Sequence, residues 1–304
     1  MKYLYFPGCS LKGTSRGYEE SIFAVFEKLG ITLEELPDWN CCGSTSVIAV
    51  NKTLAMALAA RDLALAEPTG LQLLTPCPSC WLELTKANDV IREGGKLAEK
   101  VKEALAAGGL KYNGTTTVRH IVEFLVNEVG IEKIKQYVSN QKYVGNPLTG
   151  LRIAPYYGCQ MVRPFADKDD TYNPQNMEKL IEALGAEAAT FELKTACCSG
   201  ALMATRKNVG RDMSKQILRS IKEAKADLVV TACPLCQLNL ELVQFGNSEF
   251  AGKNELPILS ITQVMGLAMG IPPVELGLSR SLLPGVAKAI TNMQKEKAPA
   301  SIGG

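Results

Sequence analysis

The ten cysteines of the chain fall into two sets that share the same order and similar spacing. Each set begins with a single cysteine, continues with an adjacent Cys-Cys pair and, after 34 intervening residues, closes with a C-P-x-C group. The first set is Cys9, Cys41, Cys42, Cys77 and Cys80, and the second set is Cys159, Cys197, Cys198, Cys233 and Cys236. This recurrence predicts an internal duplication in which each half of the chain gathers five thiols.

Five thiols in one site favour an iron–sulfur cluster over the alternatives. Four sulfur ligands suffice for a structural zinc ion or for a cubane cluster, and a fifth thiolate could bridge two irons. A single C-x-x-C group would instead favour structural zinc or a redox-active thiol pair, and both of these remain alternatives. The chain lacks the C-x-x-C-x-x-C-x-x-x-C-P run of bacterial ferredoxins, so any series of cubane clusters must lie on a partner.

The residues around the cysteines repeat as well. Pro-Gly-Cys in the first half matches Tyr-Gly-Cys in the second, and N-C-C-G matches A-C-C-S-G. Likewise, L-L-T-P-C-P-S-C matches V-V-T-A-C-P-L-C. We therefore predict two lobes, at residues 1–145 and 151–304, joined near 145–150, where N-P-L-T-G is typical of a linker.

Short apolar runs precede most of the cysteine groups, and helical patterns lie between them. The predicted strands are 2–6, 71–75, 151–156 and 228–231, and the predicted helices are 18–29, 44–66, 79–105, 174–184, 201–226 and 235–245. Strands that alternate with helices indicate an α/β fold, with a parallel sheet flanked by helices in each of two pseudo-symmetric lobes. Because ligands of such sheets bind beyond the carboxyl ends of the strands, we expect each set of cysteines to meet there.

Two local features should shape these elements. A helix in each half ends in Leu-Gly, at Gly30 and at Gly185, where glycine suits a left-handed helix terminus. Pro78 and Pro234 fix the backbone inside the C-P-x-C groups and remove one amide donor there. We expect both prolines to stiffen the loops that present the thiols.

The composition indicates a soluble, cytoplasmic protein. The 304 residues carry 33 basic and 31 acidic side chains, which are interspersed, so nucleic acid is not an expected partner. No apolar run approaches the roughly 20 residues that cross a bilayer, and the first ten residues lack the apolar core of a secretory signal. Ten cysteines in a reducing compartment argue against disulfides and for metal or redox chemistry. The length allows two separate hydrophobic cores.

Over nearly the whole chain, these motifs resemble the cysteine-rich CCG family, and most closely the B subunit of heterodisulfide reductase (HdrB) and its bacterial relatives. The resemblance implies that each set of five cysteines holds a noncubane [4Fe-4S] cluster. By position, Cys9, Cys41, Cys42, Cys77 and Cys80 would ligate one cluster, and Cys159, Cys197, Cys198, Cys233 and Cys236 the other. No other catalytic side chain is implied.

The resemblance also implies a reaction and partners. In the family, the mixed disulfide of coenzyme M and coenzyme B is cleaved reductively between the two clusters. Electrons would arrive through a ferredoxin-like subunit with cubane clusters (HdrC-like) and a flavoprotein (HdrA-like). The opening P-G-C-S-L-K-G-T resembles the bacterial branch, whose members act on other disulfides or in sulfur oxidation. The expected enzyme is an oxidoreductase acting on a sulfur group of a small-molecule thiol or disulfide.

The runner-up function is a pure electron-transfer subunit without disulfide chemistry. In the related fumarate reductase, succinate dehydrogenase and glycolate oxidase subunits, CCG lobes serve flavin- or quinone-linked dehydrogenases. Those relatives often fuse the CCG lobes to ferredoxin runs, and the absence of such a run here favours disulfide chemistry. A zinc-stabilised scaffold is a third possibility, and it would contain no iron.

Several residues outside the cysteine sets invite a role. In the second half, Ser199 stands between the cysteine pair and the following glycine, which is displaced by one residue. The second site could therefore differ in shape or potential. His120 is the only histidine; it aligns with Ser260, and we expect a structural or capping role rather than proton delivery. Trp39 and Trp81 flank cysteine groups, where core packing is the default and shielding of a cluster the alternative.

Basic residues follow the first cysteine of each lobe and could meet an anionic thiol substrate, although solvated side chains are the common case. They are Lys12, Arg16, Arg163 and Lys168. The first lobe also carries a helix-rich insert at residues 94–114, which has no counterpart in the second lobe. We expect this insert to contact a partner protein rather than to take part in chemistry.

Overall fold

We describe a computed structural model of the chain over residues 1–139, 146–165 and 169–283. These residues form a first lobe (1–139) and a second lobe (the remaining described residues). The strands are β1 (Lys2–Tyr5), β2 (Thr32–Glu35), β3 (Leu73–Thr75), β4 (Val118–His120), β5 (Arg152–Tyr156), β6 (Glu187–Ala188), β7 (Leu228–Thr231) and β8 (Ile258–Ser260). The α-helices are α1 (Gly8–Lys12), α2 (Arg16–Lys28), α3 (Ser46–Val50), α4 (Lys52–Ala66), α5 (Pro78–Glu93), α6 (Gly95–Ala107), α7 (Ile121–Phe124), α8 (Ile131–Ser139), α9 (Asn176–Ala183), α10 (Leu202–Thr205), α11 (Lys207–Glu223), α12 (Pro234–Gln244) and α13 (Ile261–Ala268).

Each lobe is built on a four-stranded parallel sheet, and the two sheets have the same strand order. The orders are β2-β1-β3-β4 and β6-β5-β7-β8. The fold class predicted from the sequence is therefore confirmed. The central strands β3 and β7 are buried along their whole length, as expected for strands covered by helices on both faces.

Sequence patterns found the central strands and missed the outer ones. The edge strands β2 and β6 are short and largely exposed, so they carry no continuous apolar run. The strands β4 and β8, on the opposite sides, are only three residues long. Such short strands fall below the length at which strand periodicity can be recognised.

Three of the predicted helices were too long. The one predicted at 44–66 is divided at Asn51, whose extended backbone and side chain cap α4 by accepting a bond from the Leu54 amide. The one predicted at 79–105 is divided at Gly94 and Gly95, which both have positive φ. The one predicted at 201–226 is divided at Arg206, where the backbone leaves the helical region, and α11 ends at Glu223.

The lobes do not have separate cores, in contrast to what the chain length allowed. One hydrophobic cluster runs through both lobes and includes Phe26 and Phe124 from the first and Met177 and Met265 from the second. The helix after β1 packs on the helix after β8, and the helix after β5 packs on the helical segment after β4. These helix contacts and the shared cluster join the two lobes.

A second hydrophobic cluster belongs to the first lobe alone and lies under α4, α5 and α6. Helix α6 occupies most of the predicted insert and buries Val101 and Leu105 in this cluster. The insert is helical as expected, and its contact with a partner stays a prediction.

The predicted lobe boundary lies partly outside the described residues, because 140–145 are not among them. Residues 146–150 form a turn that leads into β5. The lobe limits therefore stay a prediction. No helix within the described residues is long and apolar enough to cross a membrane.

Candidate iron–sulfur site

The cysteines lie where the chain leaves the carboxyl ends of the strands. Cys9 and Cys159 follow the two first strands, β1 and β5, of their sheets. Cys77 and Cys233 are the N-cap residues of α5 and α12, immediately after β3 and β7. Pro78 and Pro234 occupy the first helical position, where a missing amide proton costs nothing and the fixed φ suits the helix.

The five thiols of the first lobe contact one another in a row. The thiol of Cys9 is hydrogen-bonded to that of Cys41, and the thiol of Cys42 is hydrogen-bonded to that of Cys41. The Cys42 and Cys80 sulfurs lie 3.4 Å apart, and Cys80 is also bonded to Cys77. Cys9 and Cys41 are exposed and the other three are buried, so the row runs from the surface inward.

The second lobe has a corresponding arrangement in two groups, one of two thiols and one of three. The thiol of Cys159 is hydrogen-bonded to that of Cys197. The Cys198 and Cys236 sulfurs lie 3.3 Å apart, and Cys236 is bonded to Cys233. Cys197 is exposed, Cys159 is half-buried and the remaining three are buried. The structure therefore brings together every cysteine that the sequence assigned to each set.

The buried ends of the two rows meet at the lobe boundary. The thiols of Cys77 and Cys233 are neighbours across this boundary, where Cys233 lowers the pKa of Cys77, and each residue is only 7% exposed. Among the described residues, no three His, Cys, Asp or Glu side chains are arranged to hold a single metal ion. The thiols instead contact each other pairwise, and the two sites share a border.

Two glycines make room for the sulfurs. Gly8 and Gly158 precede the first cysteine of each set and have φ of +69° and +68°. A Cβ atom on Gly8 would lie 2.8 Å from the Cys80 sulfur, and one on Gly158 would lie 2.9 Å from the Cys236 sulfur. Because real Cβ atoms do not approach so closely, each glycine leaves space that a side chain would fill.

The residue directly after each cysteine pair has a positive φ in both lobes, although the sequences differ. Gly43 has φ of +78° and Ser199 has φ of +62°, so Ser199 takes the left-handed position that the sequence comparison assigned to a displaced glycine. The Ser199 hydroxyl donates to the carbonyl of Gly210, 3.2 Å away, which holds this uncommon conformation. The Gly43 and Ser199 amides bond the sulfurs of Cys41 and Cys197.

Contacts among the thiols lower the pKa of two cysteines in each lobe, Cys42 and Cys77 in the first and Cys197 and Cys198 in the second. Hydrogen bonds from Cys41 and Cys80 lower the pKa of Cys42 to about 5. A hydrogen bond from Cys159 lowers the pKa of Cys197 to about 6. Thiolates are the form that binds metals. Five converging thiols, amides directed at sulfur and glycine-lined space fit an iron–sulfur cluster in each lobe.

Two buried side chains lie between the C-P-x-C groups of the two lobes. The Tyr18 hydroxyl is 3.3 Å from the carbonyl oxygen of Ala232 and 3.5 Å from that of Pro76. These carbonyls immediately precede Cys233 and Cys77. Nothing in the sequence marks Tyr18, because its contacts join positions that are far apart along the chain.

His120 is the second of these side chains. Its Nδ1 accepts a bond from the Val122 amide and so caps α7, and its Nε2 lies 3.1 Å from the carbonyl oxygen of Pro76. Burial lowers the pKa of His120 to about 4, so the neutral ring carries its proton on Nε2 and donates it to Pro76. The aligned Ser260 caps α13 in the same way, and the predicted capping role is confirmed.

Other contacts across the boundary were also missed by the sequence analysis. The Ser79 hydroxyl, between Pro78 and Cys80, is hydrogen-bonded to the Gln160 side chain next to Cys159. Trp81 is 4% exposed and packs edge-to-face on Phe165 of the second lobe. Trp39 packs on Phe6 and bonds Glu35, so both tryptophans pack as the default interpretation expected.

The three of these basic residues that the structure describes do not form one patch. Lys12 is paired with Glu19 and Glu35, and the Arg16 side chain donates to the carbonyl of Lys12. Arg163 bonds the carbonyl of Thr195, and its charge helps to lower the pKa of Cys197. Lys168 lies outside the described residues. Arg163 is thus the basic candidate that the structure associates with a thiol.

Comparison with known proteins agrees with this architecture. The family model for CCG, the cysteine-rich domain, matches residues 3–85 and 153–241, each of which spans one set of five cysteines. A protein of Archaeoglobus profundus, named as similar to the B subunit of heterodisulfide reductase, is 34% identical, with 90% of this chain and 92% of that one covered. The B subunit of the ferredoxin/F420H2-dependent CoB-CoM heterodisulfide reductase of Methanosarcina acetivorans is 31% identical, with 94% and 95% covered.

The chain belongs to the HdrB family, with two CCG domains. It is also similar to a protein with a different name. The 8-methylmenaquinol:fumarate reductase membrane anchor subunit of Wolinella succinogenes is 34% identical, with 93% of this chain and 97% of that one covered. A hypothetical protein from Helicobacter pylori has the same fold, with a TM-score of 0.68 at 16% identity; 90% of this chain is covered, and the chain spans 50% of that one.

Proposed function

We propose that this member of the HdrB family carries two noncubane [4Fe-4S] clusters and reduces, or forms, a small-molecule disulfide. One cluster would be held by Cys9, Cys41, Cys42, Cys77 and Cys80, and the other by Cys159, Cys197, Cys198, Cys233 and Cys236. The contact between Cys77 and Cys233 carries this proposal, because it makes the two sites neighbours at the lobe boundary.

Cleavage of a disulfide consumes two electrons and two protons and releases two thiols. Two clusters, when bound, would each supply one electron. The chain's own part is to hold the two sites against each other. Tyr18 and His120 fix the carbonyls that precede Cys77 and Cys233, and the Ser79 hydrogen bond to Gln160 ties the C-P-x-C loop of one lobe to the first cysteine of the other.

The protein would work within a complex in the cytoplasm. The described part of the chain contains no further set of cysteines that could form a relay. An HdrC-like, ferredoxin-like subunit with cubane clusters and an HdrA-like flavoprotein would bring electrons to the exposed ends of the thiol rows. Arg163, beside the exposed Cys197, is the side chain best placed to attract an anionic thiol.

A second candidate is an electron-transfer subunit of a quinol-linked fumarate reductase. It is favoured by the 34% identity to the Wolinella succinogenes protein, 97% of which is covered. In this alternative the neighbouring sites would pass electrons along the molecule and no disulfide would bind between them.

The deciding experiment uses protein purified without oxygen, together with its neighbouring subunits. We expect about eight irons and about eight sulfides per chain, and disulfide-dependent oxidation of a reduced viologen dye. One zinc per lobe without sulfide would exclude the clusters. Full iron content with fumarate reduction, and no turnover with any disulfide tested, would favour the second candidate.

A further inference from the structure

The two sites differ at the position three residues after the last cysteine of each set. Glu83 on α5 follows Cys80, and Asn239 on α12 follows Cys236. Both residues are 2% exposed. The duplication therefore places a buried carboxyl group in the first lobe where the second lobe has a buried amide.

Asn239 is directed at the second site. Its Nδ2 lies 3.1 Å from the carbonyl oxygen of Cys198 and 3.6 Å from the Cys198 sulfur. The Ser199 amide bond to the sulfur of Cys197 has its counterpart in the Gly43 amide of the first lobe, so it does not distinguish the sites. Arg163 places a positive charge near Cys197. Asn239 and Arg163 both favour additional negative charge on the sulfurs.

Glu83 differs from Asn239 because it carries a carboxyl group in place of an amide. Its Oε1 pairs with the partly exposed Lys86 at 3.0 Å, while Oε2 is buried and has no hydrogen-bond partner among the described residues. Such a carboxyl oxygen offers no donor to a sulfur. In the repeat, Glu83 corresponds to Asn239. The cysteine that Asn239 reaches, Cys198, corresponds to Cys42.

A second buried acid lies behind the first site. Asp62 on α4 is 0% exposed and accepts a bond from the amide of Asn40, which precedes the cysteine pair. Burial raises the pKa of Asp62 to about 7, so this carboxyl is only partly charged at neutral pH. Solvent exposure acts on the two potentials in the opposite direction, because the first site is the more exposed. The difference in exposure is limited to one thiol, since Cys9 is exposed and Cys159 is half-buried.

Cluster potentials depend on nearby charge, on hydrogen bonds to sulfur and on exposure. Building on the function proposed above, we propose that Glu83 and Asn239 make the two sites unequal, so that the second-lobe cluster has the higher reduction potential and holds the first electron that enters the pair. Glu83 and Asn239 are positioning residues here, because they act through the sulfurs.

The test is an EPR-monitored redox titration of the anaerobically purified complex. Cys9→Ser and Cys159→Ser each alter one signal and so assign the signals to lobes. We expect the second site to be favoured at least about tenfold in the reduction equilibrium, which corresponds to about 59 mV for one electron. Glu83→Gln should raise the potential of the first site alone, and Asn239→Asp should lower that of the second alone.

Glu93→Gln is the matched control, because Glu93 is exposed at the far end of the same helix α5 and should shift neither potential. A first site with an equal or higher potential in the unaltered protein would overturn the inference. So would unchanged potentials in both exchanged variants with full iron content. If Glu83→Gln does not assemble its cluster, the potentials measured in the unaltered protein and in Asn239→Asp still test the inference. Absence of iron and sulfide would instead reject the proposed function.

Discussion

The thiol of Cys77, in the first lobe, is a neighbour of the thiol of Cys233, in the second, and Cys233 lowers the pKa of Cys77. These residues are equivalent in the internal repeat, since each is the N-cap of the helix that carries its C-P-x-C group. The contact converts two separate cysteine sets into one continuous region of sulfur across the lobe boundary. It therefore links the duplication seen in the sequence to a reaction that needs two electron donors.

The first prediction concerns cooperation between the lobes. Cys77→Ser or Cys233→Ser should each abolish disulfide turnover, because the reaction requires both sites, even where the opposite cluster still assembles. Steady-state rates with a reduced viologen and a disulfide, together with iron analysis, provide the measurement. Turnover near the parent rate in Cys233→Ser would show that the sites do not act as a facing pair.

The second prediction concerns the cysteine pairs. If both members of each pair are ligands, Cys41→Ser, Cys42→Ser, Cys197→Ser or Cys198→Ser should change the spectrum of the cluster in that lobe sharply. EPR and absorption spectra with iron content provide the measurement. A variant with unaltered spectrum and iron would show that the replaced cysteine is not a ligand.

The third prediction tests the close approach of the glycines to sulfur. Gly8→Ala and Gly158→Ala should each remove about half of the bound iron, because the new Cβ would collide with the sulfur of Cys80 or Cys236. Gly30→Ala is the control, since Gly30 has φ of +72° but nothing within 4 Å of the position that a Cβ atom would take. The control should lose about 1 kcal/mol of unfolding free energy and keep all its iron. Equal iron contents in the three variants would show that Gly8 and Gly158 are not needed to make room for the clusters.

The fourth prediction tests the pH dependence that Asp62 introduces. Burial raises the pKa of this carboxyl from 3.8 to about 7, so the folded state binds the proton more tightly than the unfolded state. Its contribution to stability is therefore complete at low pH and is lost as pH rises from about 4 to about 7. Asp62→Asn should gain stability relative to the parent over this window, by up to about 4 kcal/mol.

Chemical unfolding of both proteins between pH 5 and pH 8 measures this difference, which should level off above pH 7. Asp212→Asn, at a carboxylate that is 71% exposed, controls for the loss of one charge. A constant difference between the parent and Asp62→Asn across the window would show that Asp62 does not titrate as its burial implies.

Much of this architecture follows from local signals. The cysteine spacing indicated the repeat, and the apolar runs indicated the central strands, since buried parallel strands are uniformly hydrophobic. Gly30 and Gly185 adopt the left-handed φ that their positions at helix ends predicted. Edge strands such as β2 lacked an apolar pattern because they are exposed. The helix breaks at Asn51 and Gly94 were missed because the apolar periodicity continues through them.

The contacts between the lobes could not be predicted in the same way. Tyr18 and Ala232, or Ser79 and Gln160, meet only because the two sheets face each other, and no local pattern encodes that arrangement. At Ser199 the displaced glycine allowed a difference in the shape of the second site, whereas serine itself adopts a left-handed φ like that of Gly43. Tertiary bonds such as that from Ser199 to Gly210 outweigh the local preference.

The last prediction addresses the buried hydroxyl that joins the lobes. Tyr18→Phe keeps the packing of the ring and removes the donor that lies between the carbonyls of Pro76 and Ala232. Because His120 still interacts with the backbone of both Pro76 and Ala232, only the hydroxyl's share of these bonds is lost, and unfolding free energy should fall by about 1 kcal/mol. The weakened hold on the backbone next to Cys233 should also loosen the approach of the two thiols and slow disulfide turnover more than iron content falls. Tyr172→Phe, at a side chain that is 85% exposed, should change neither quantity. Parent-like stability and turnover in Tyr18→Phe would mean that packing alone, without this hydroxyl, holds the two sites together.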